Sequence, residues 1–232
     1  MDYVNVIPAT FLARPNRFLA EVEVNGCKET VHVKNTGRCH ELLVPGCRVW
    51  LAASSNPARK TKYDLIAAEK AGSGKPPMLV NLDSQVVNDA AEEWLRQSAL
   101  FGKDAVIRRE VTWGNSRFDF YIESGKRKIF LEVKGCTLER DGICLFPDAP
   151  TARGVKHLHE LAACLDEGYE AYLLIVIQMQ PVRAFRPNDE TDPDFGRALR
   201  EAAEKGVRIL AMDCRIKPDS ICLCHPVPVQ LT

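Results

Sequence analysis

The chain carries no net charge, since 31 Lys and Arg balance 31 Asp and Glu. That excludes a polycation coating nucleic acid over its whole surface, and leaves room for local basic patches that grip phosphates. No run of about 18 apolar residues occurs, so no segment is expected to span a membrane. The opening MDYVNVIPATFLARPNRF lacks a basic region followed by an apolar core and does not read as a secretory signal; a cytoplasmic protein is the expectation. Internal repeats and low-complexity tracts are missing as well. The nine cysteines fall at 27, 39, 47, 136, 144, 164, 214, 222 and 224 without a CxxC pair, which argues against a zinc ribbon. Cys222, Cys224 and His225 come nearest to a metal cluster, but their spacing is wrong for structural zinc. Scattered thiols, odd in number, are expected to be reduced.

What is present divides in two. RFLAEVEV over 17–24 alternates as a strand, Asn25-Gly26 is a two-residue hairpin turn, and KETVHV over 28–33 returns. Further strands are expected over 48–53 and 63–69, with the basic loop SNPARKTK between them. Short strands separated by turn residues point to a small closed β-barrel. AGSGKPP over 71–77 reads as a linker, which sets expected domains of 1–78 and 79–232.

The second half switches period. Val86, Val87, Ala90, Ala91, Trp94 and Leu95 form a helical stripe. Three strands follow, over about 105–112, 116–122 and 128–134. Thr151 is placed to cap a helix with the apolar face Leu158, Leu161, Ala162 and Leu165, and Gly168 to stop it. AYLLIVIQ over 171–178 reads as a strand buried on both faces. A helix over 194–205, stopped by Gly206, and the strand VRILAMD complete an α-β-β-β-α-β-α-β order. The fold class is therefore mixed α/β, with a mixed sheet flanked by helices.

The stretch RFDFYIESGKRKIFLEVKG holds the chemistry. A turn at Gly125-Lys126 sets Asp119 opposite Glu132. Alternation then puts Arg117, Asp119 and Tyr121 on one face with Phe130, Glu132 and Lys134, and turns Phe118, Phe120 and Ile122 to a pure core face. Two carboxylates at roughly 5 Å between Cβ atoms destabilise a sheet and resist ionising together. A divalent cation between them removes both problems, and Mg²⁺ or Mn²⁺ suits such oxygen ligands. Lys134 would orient or help deprotonate an attacking water, or balance charge on a pentavalent phosphate. The bland alternative is an ordinary charged sheet face, because Glu-x-Lys alone is a weak signal.

A helix, three strands and a helix, with Asp on one strand and Glu-x-Lys on the next, resemble the PD-(D/E)xK nuclease superfamily. More specifically, KNTGR, SRFDF, EVKGCTL, FPDAPTARGVKHLHEL and GVRILAMDCRI together resemble the sugar fermentation stimulation protein A family. The resemblance implies an N-terminal OB-type barrel, a C-terminal PD-(D/E)xK domain and DNA binding. Carried over, the catalytic positions are Asp119, Glu132 and Lys134, and Phe118 stands where the superfamily name has a proline.

Arg153, Lys156 and His157 share one helical face, read as lying opposite the leucine stripe. Arg153 and Lys156 are assigned to a phosphate, and His157 to structure or to general-base work. In the barrel, Arg17, Arg59, Lys60 and Lys62 are candidate nucleic-acid contacts, joined by Arg117 from the hairpin; Phe18, Trp50 and Tyr63 could stack bases, with core packing favoured for Trp50. Asp148 is read as structural, Glu110 as a weak second metal ligand, and Glu92 and Glu93 as solvated. The expected function is metal-dependent hydrolysis of a phosphodiester. Asp119, Glu132 and the Val133 carbonyl hold Mg²⁺ or Mn²⁺, and the partner is DNA or else RNA. A non-catalytic DNA-binding regulator and an RNA-processing nuclease are the alternatives. A homodimer is compatible with the sequence.

Overall fold

The computed structural model describes residues 1–35, 37–54, 56, 58–72, 77–98 and 100–232. The first half is a barrel. Strand β1 (Val6–Asn16) lies between β2 (Leu19–Val24) and β4 (Arg48–Ala53), β3 (Cys27–Val33) follows β2, and β5 (Tyr63–Lys70) follows β4. Parallel pairing of His32 with Asp64 and of Val33 with Leu65 joins β3 to β5 and closes the cylinder. The β2–β3 turn is Asn25-Gly26 with φ of 51° and 80°, the left-handed pair that a tight hairpin needs. Inward residues such as Phe11, Val22, Val31, Val49 and Leu51 are buried. A sixth strand, β6 (Met78–Asn81), pairs antiparallel with β5 and leads into the second half. Four residues of the AGSGKPP stretch, 73–76, lie outside the described residues.

β1 is one of several strands that alternation alone did not reveal, as are short strands of the second half and the last strand, Ser220–Pro226, which follows VRILAMD. The first half of β1 pairs with β4 over Val6–Thr10 and its second half with β2 over Thr10–Asn16, with register shifts after Phe11 and Ala13. Pro8 falls in the half paired on one side only, where a missing N–H is tolerated.

The second half is a six-stranded mixed sheet in the order β15-β14-β12-β9-β8-β7. Its members are β7 (Val106–Trp113), β8 (Ser116–Ser124), β9 (Arg127–Cys136), β12 (Glu170–Ile177), β14 (Arg208–Lys217) and β15 (Ser220–Pro226). The apolar strand β12 sits at the centre, parallel to both β9 and β14 and buried almost throughout. Helix α1 (Val86–Gln97) buries Val86, Val87, Ala90, Ala91 and Leu95 on one face of the sheet. Helices α2 (Ala152–Cys164) and α3 (Pro193–Lys205) cover the other. Thr151 caps α2 by accepting from the Gly154 N–H at 3.0 Å, and Gly206 ends α3 at φ 118°. A small sheet of β10 (Leu138–Arg140), β11 (Ile143–Phe146) and β13 (Ala184–Pro187) lies beside the main one. Among the described residues no helix is long and apolar enough to cross a membrane.

Three expectations change. The β8–β9 ladder runs from Ser124↔Arg127 to Phe120↔Leu131, as the Gly125-Lys126 turn predicts, but it stops there. Beyond it the strict alternation is lost. Phe118 lies with Tyr121 and Phe130 on the α2 side, 5.2 Å from the Phe130 ring, and not with Phe120 and Ile122. Second, His157 is not opposite the leucine stripe; it belongs to the buried stripe Gly154, His157, Leu158, Leu161 and Cys164. Third, Cys136 and Cys144 form a disulfide, because β10 folds the chain back and returns Cys144 beside the end of β9. The other seven cysteines are free.

Candidate active site

The carboxyl ends of the parallel strands β9 and β12 are where an open α/β sheet presents its ligand site. Here those ends carry Glu132, Lys134, Gly135 and Gln178. The fraying of β8 from β9 beyond Phe120 turns Asp119 toward the same place. Asp119 Oδ2 accepts from the Val133 N–H at 2.8 Å, and Oδ1 accepts from Asn88 Nδ2 of α1 at 2.8 Å. Burial, then the neighbouring Glu132 charge, pushes the Asp119 carboxyl above the usual carboxylate range.

Glu132 is 3% exposed. Its Oε1 accepts from Lys134 Nζ at 2.5 Å and from His157 Nδ1. Burial pulls this carboxyl up, but the His157 hydrogen bond and the Lys134 ammonium outweigh it and hold it below its ordinary value. Oε2 is also buried and has no hydrogen-bond partner. A buried carboxylate oxygen without a donor is costly, and it leaves Oε2 open to a hydrogen-bond donor or a cation.

His157, 5% exposed, is fixed from both sides. Arg153 Nε donates to its Nε2 at 3.4 Å, which makes Nε2 the acceptor and leaves Nδ1–H to donate to Glu132. Phe118 packs edge-on against the ring at 6.2 Å. Gly154, one turn before Leu158, lets α2 approach: a Cβ there would meet the Thr151 side chain at 2.8 Å and Phe195 at 3.3 Å.

Next to these residues, beginning at Gly135 one position past Lys134, lies a cleft of about 270 Å³. Its walls include Gly135 and Gln178 from the sheet, Ser84 before α1, Asn35 and Gly37 from the barrel, and Phe146–Thr151 before α2. Gly135 is required here, since a Cβ would come within 2.5 Å of Gln178 Oε1. Gln178 Nε2 donates to Asn81 Oδ1 at 2.9 Å and to the Asn81 and Asp83 carbonyls. Asp83, buried, accepts from Lys34 Nζ at 2.9 Å. Arg38 N–H donates to Asp148 Oδ2 at 3.0 Å. The barrel is thus bonded to the cleft through both KNTGR and FPDAP.

The expected site residues are placed as follows. Asp119, Glu132, Lys134 and the Val133 backbone converge, with Arg153 reaching them through His157. Lys156 is exposed and donates to the Asn115 carbonyl at 2.7 Å. Arg117 is exposed and lies 3.5 Å from Glu110, so both stand on the surface as a pair. Arg59 is not a free cation: it donates from both Nη atoms to Asp64, at 3.1 and 2.6 Å. Lys62 pairs with Glu29 at 3.1 Å, and Lys60 is exposed. Arg17 is exposed and lies over the Phe18 ring at 5.0 Å. Trp50 is half-buried, with Arg48 over its ring. Glu92 pairs with Arg96 and Arg109, and Glu93 with the N-terminal ammonium. His225 pairs with Asp213 at 3.3 Å. No group of three or more His, Cys, Asp or Glu is arranged to hold a metal among the described residues.

Asn88, Gln178 and the Lys34–Asp83 link were not anticipated. Gln178 did leave a signal, a lone amide ending an apolar parallel strand. Asn88 left only its position beside the buried stripe of α1, because its partner lies far along the chain.

Two family models match: the sugar fermentation stimulation protein RE domain over residues 85–220, and the SfsA N-terminal OB domain over residues 12–75. A sugar fermentation stimulation protein homolog of Desulfitobacterium hafniense is 52% identical over 221 residues, covering 95% of this chain and 94% of that one. The homolog of Clostridium beijerinckii is 51% identical and covers both chains completely. Among solved structures, Pyrococcus furiosus SfsA in complex with Ca²⁺ matches with a TM-score of 0.88 at 29% identity, over 99% of this chain and 98% of that one. The barrel, the mixed sheet and these matches agree, and the chain belongs to the sugar fermentation stimulation protein family.

Proposed function

We propose that this protein is a divalent-cation-dependent nuclease that binds DNA or RNA between its barrel and its mixed sheet. The observation that carries this reading is the buried, partnerless Oε2 of Glu132 beside Asp119. The donor set is two carboxylates and a backbone carbonyl, that of Val133. Such a set fits a hard cation that completes its shell with waters and substrate phosphate oxygens, as Mg²⁺ and Mn²⁺ do. The Pyrococcus furiosus relative was solved with Ca²⁺, an oxygen-seeking ion of the same class, which supports the assignment. When bound, the ion supplies Lewis-acid polarisation of a phosphoryl oxygen.

The chain's own residues do the rest. The Val133 N–H and Asn88 orient the Asp119 carboxylate. His157 and Lys134 occupy Oε1 of Glu132, so that Oε2 is the oxygen left to coordinate. Lys134, held on Oε1 of Glu132 by a charged hydrogen bond, carries an ammonium beside the site that can also donate to a phosphate or a water and offset developing negative charge. Arg153 is exposed at the start of α2 and can engage a phosphate while holding His157.

The test is cleavage of single-stranded and duplex DNA and RNA with Mg²⁺ or Mn²⁺. Asp119→Ala and Glu132→Gln should lower the rate by about 10²-fold or more while retaining strand binding. Cleavage that persists at the parent rate in both variants would place the chemistry elsewhere.

A further inference from the structure

A second cavity, about 470 Å³, lies on the barrel side of Gly37, which it shares as a wall with the active-site cleft. Its size falls in the range of about 300–1,000 Å³ used for small-ligand sites. Phe11, Leu12, Ala13, Leu43 and Pro45 give it apolar walls, and Arg14, Arg17, Arg38 and His40 stand around it. No acidic side chain lines it, and neither Arg17 nor Arg38 has an acidic partner among the described residues. In a chain with no net charge this is a local concentration of positive charge.

Arg14 explains how the cavity is held open. Its Nη1 donates to the Gly37 and Arg38 carbonyls at 2.8 Å each, and its Nη2 to the Arg17 and Asn35 carbonyls at 2.9 and 2.7 Å. Those four acceptors are neutral, so the guanidinium charge is oriented but not cancelled, and its Nε is buried without a partner. Next to Arg17, which lines the cavity, Phe18 is 47% exposed, and the Arg17 guanidinium lies over its ring at 5.0 Å. Exposed aromatic and guanidinium planes beside an apolar recess are what an unstacked base uses, with cations following its phosphate.

We infer that this barrel cavity holds an unpaired nucleotide of the substrate strand, so that the enzyme acts on single strands or frayed strand ends next to the adjoining cleft. The inference rests on the nuclease reading for its ligand class. Stacked duplex bases cannot enter a recess of this kind; a splayed base can. Gly37 borders both compartments, so a base held in the barrel cavity sets its neighbouring phosphate toward the cleft that Gly135 lines.

The experiment measures equilibrium binding of the full chain in EDTA, where metal-dependent cleavage is silent. The probes are a labelled single strand of about twelve nucleotides, a blunt duplex of the same sequence, and that duplex with an unpaired overhang. Ala13 is exposed, so Ala13→Trp fills the cavity without entering the core. The parent should prefer the single strand and the overhang to the blunt duplex. Ala13→Trp should weaken those two by about tenfold and leave the blunt duplex within about twofold. Arg17→Glu, whose side chain is also exposed, should act in the same direction. A single-strand affinity unchanged in both variants, given parental melting temperatures, would overturn the proposal. So would equal loss on all three probes, or full competition by inorganic phosphate alone. Failure of the nuclease reading looks different: strand preference intact and Ala13-dependent, with no hydrolysis when Mg²⁺ or Mn²⁺ is added.

Discussion

Glu132 is the residue on which the site turns, and His157 decides which of its oxygens is available. A buried carboxylate with both oxygens bonded to protein has little left for a ligand; here one oxygen takes both protein donors and the other takes none. The imidazole is a positioning group in this arrangement, since its two ring nitrogens face Glu132 and Arg153 and the ring is buried. Outer partners of metal ligands typically change affinity or activity by about 10–100-fold when removed. His157→Ala should therefore lower both Mn²⁺ affinity, read by calorimetry, and cleavage rate by that order. His157→Asn, which can keep an N–H near the place of Nδ1, should recover part of each. If Ala and Asn behave alike and metal affinity stays parental, the ring merely fills space. Strand alternation and the Gly125-Lys126 turn singled out Asp119, Glu132 and Lys134 in the sequence, although the ladder ends at Phe120↔Leu131 and Asp119 meets the Val133 N–H beyond it. It misplaced His157 because a helical face that reads as polar can still be inward when a buried carboxylate waits on the sheet below.

At the scale of elements, the site depends on two loops from opposite halves meeting without a side chain between them. Gly37 sits where a Cβ would come within 2.2 Å of Asp148 Oδ2 and 2.8 Å of Asn35 Oδ1. Gly37→Ala must displace the Asp148 carboxylate that accepts from the Arg38 N–H, or else part the barrel loop from the segment before α2. Overpacking of this kind costs about 1–3 kcal/mol. A chain of this size should then melt lower by at least about 2 °C, and single-strand cleavage should fall with it. A parental melt and rate would mean that the loop shifts freely. The strands and helices around this junction were legible where the pattern was strong: β2 to β5 from alternation and Asn25-Gly26, β12 from its apolar run, α2 from its Thr151 cap, and α3 from its glycine stop. β1 was hidden by its change of partner midway, and β10, β11 and β13 are too short to carry a period. Phe118 changed face because pairing ends one residue earlier than simple register extension requires. No local signal marks that fraying, and it is the feature that frees Asp119.

Across the whole molecule, a half-buried chain of ion pairs and hydrogen bonds runs from the barrel wall to the cleft. Asp64 receives Arg59, His32 and Lys34, Lys34 also reaches Asp83, and Asp83 and Asn81 are tied to Gln178 beside the site. This is why Arg59, read from sequence as a phosphate contact in a basic loop, is engaged within the barrel itself. A polar or charged side chain can mark a ligand surface or a buried joint, and only the partner, here a strand away, distinguishes them. Burial pulls the Asp64 carboxyl up, but Arg59, Lys34 and His32 together outweigh it and hold it below its ordinary value. Its folded-state affinity for a proton is thus weaker than in the unfolded chain. The stabilisation is therefore complete above the unfolded value near pH 4 and is lost as the pH falls through the lower folded value. Asp64→Asn leaves the partner cations half-buried and uncompensated. It should cost about 2 kcal/mol at neutral pH, between the exposed and buried limits for such pairs, or about 4–8 °C in melting temperature. Melting curves of parent and variant from pH 7 down to about 3 should converge as the carboxylate of the parent takes up its proton. A gap that stays constant over that range would mean that the joint is held by packing between the two halves and not by this line of charges.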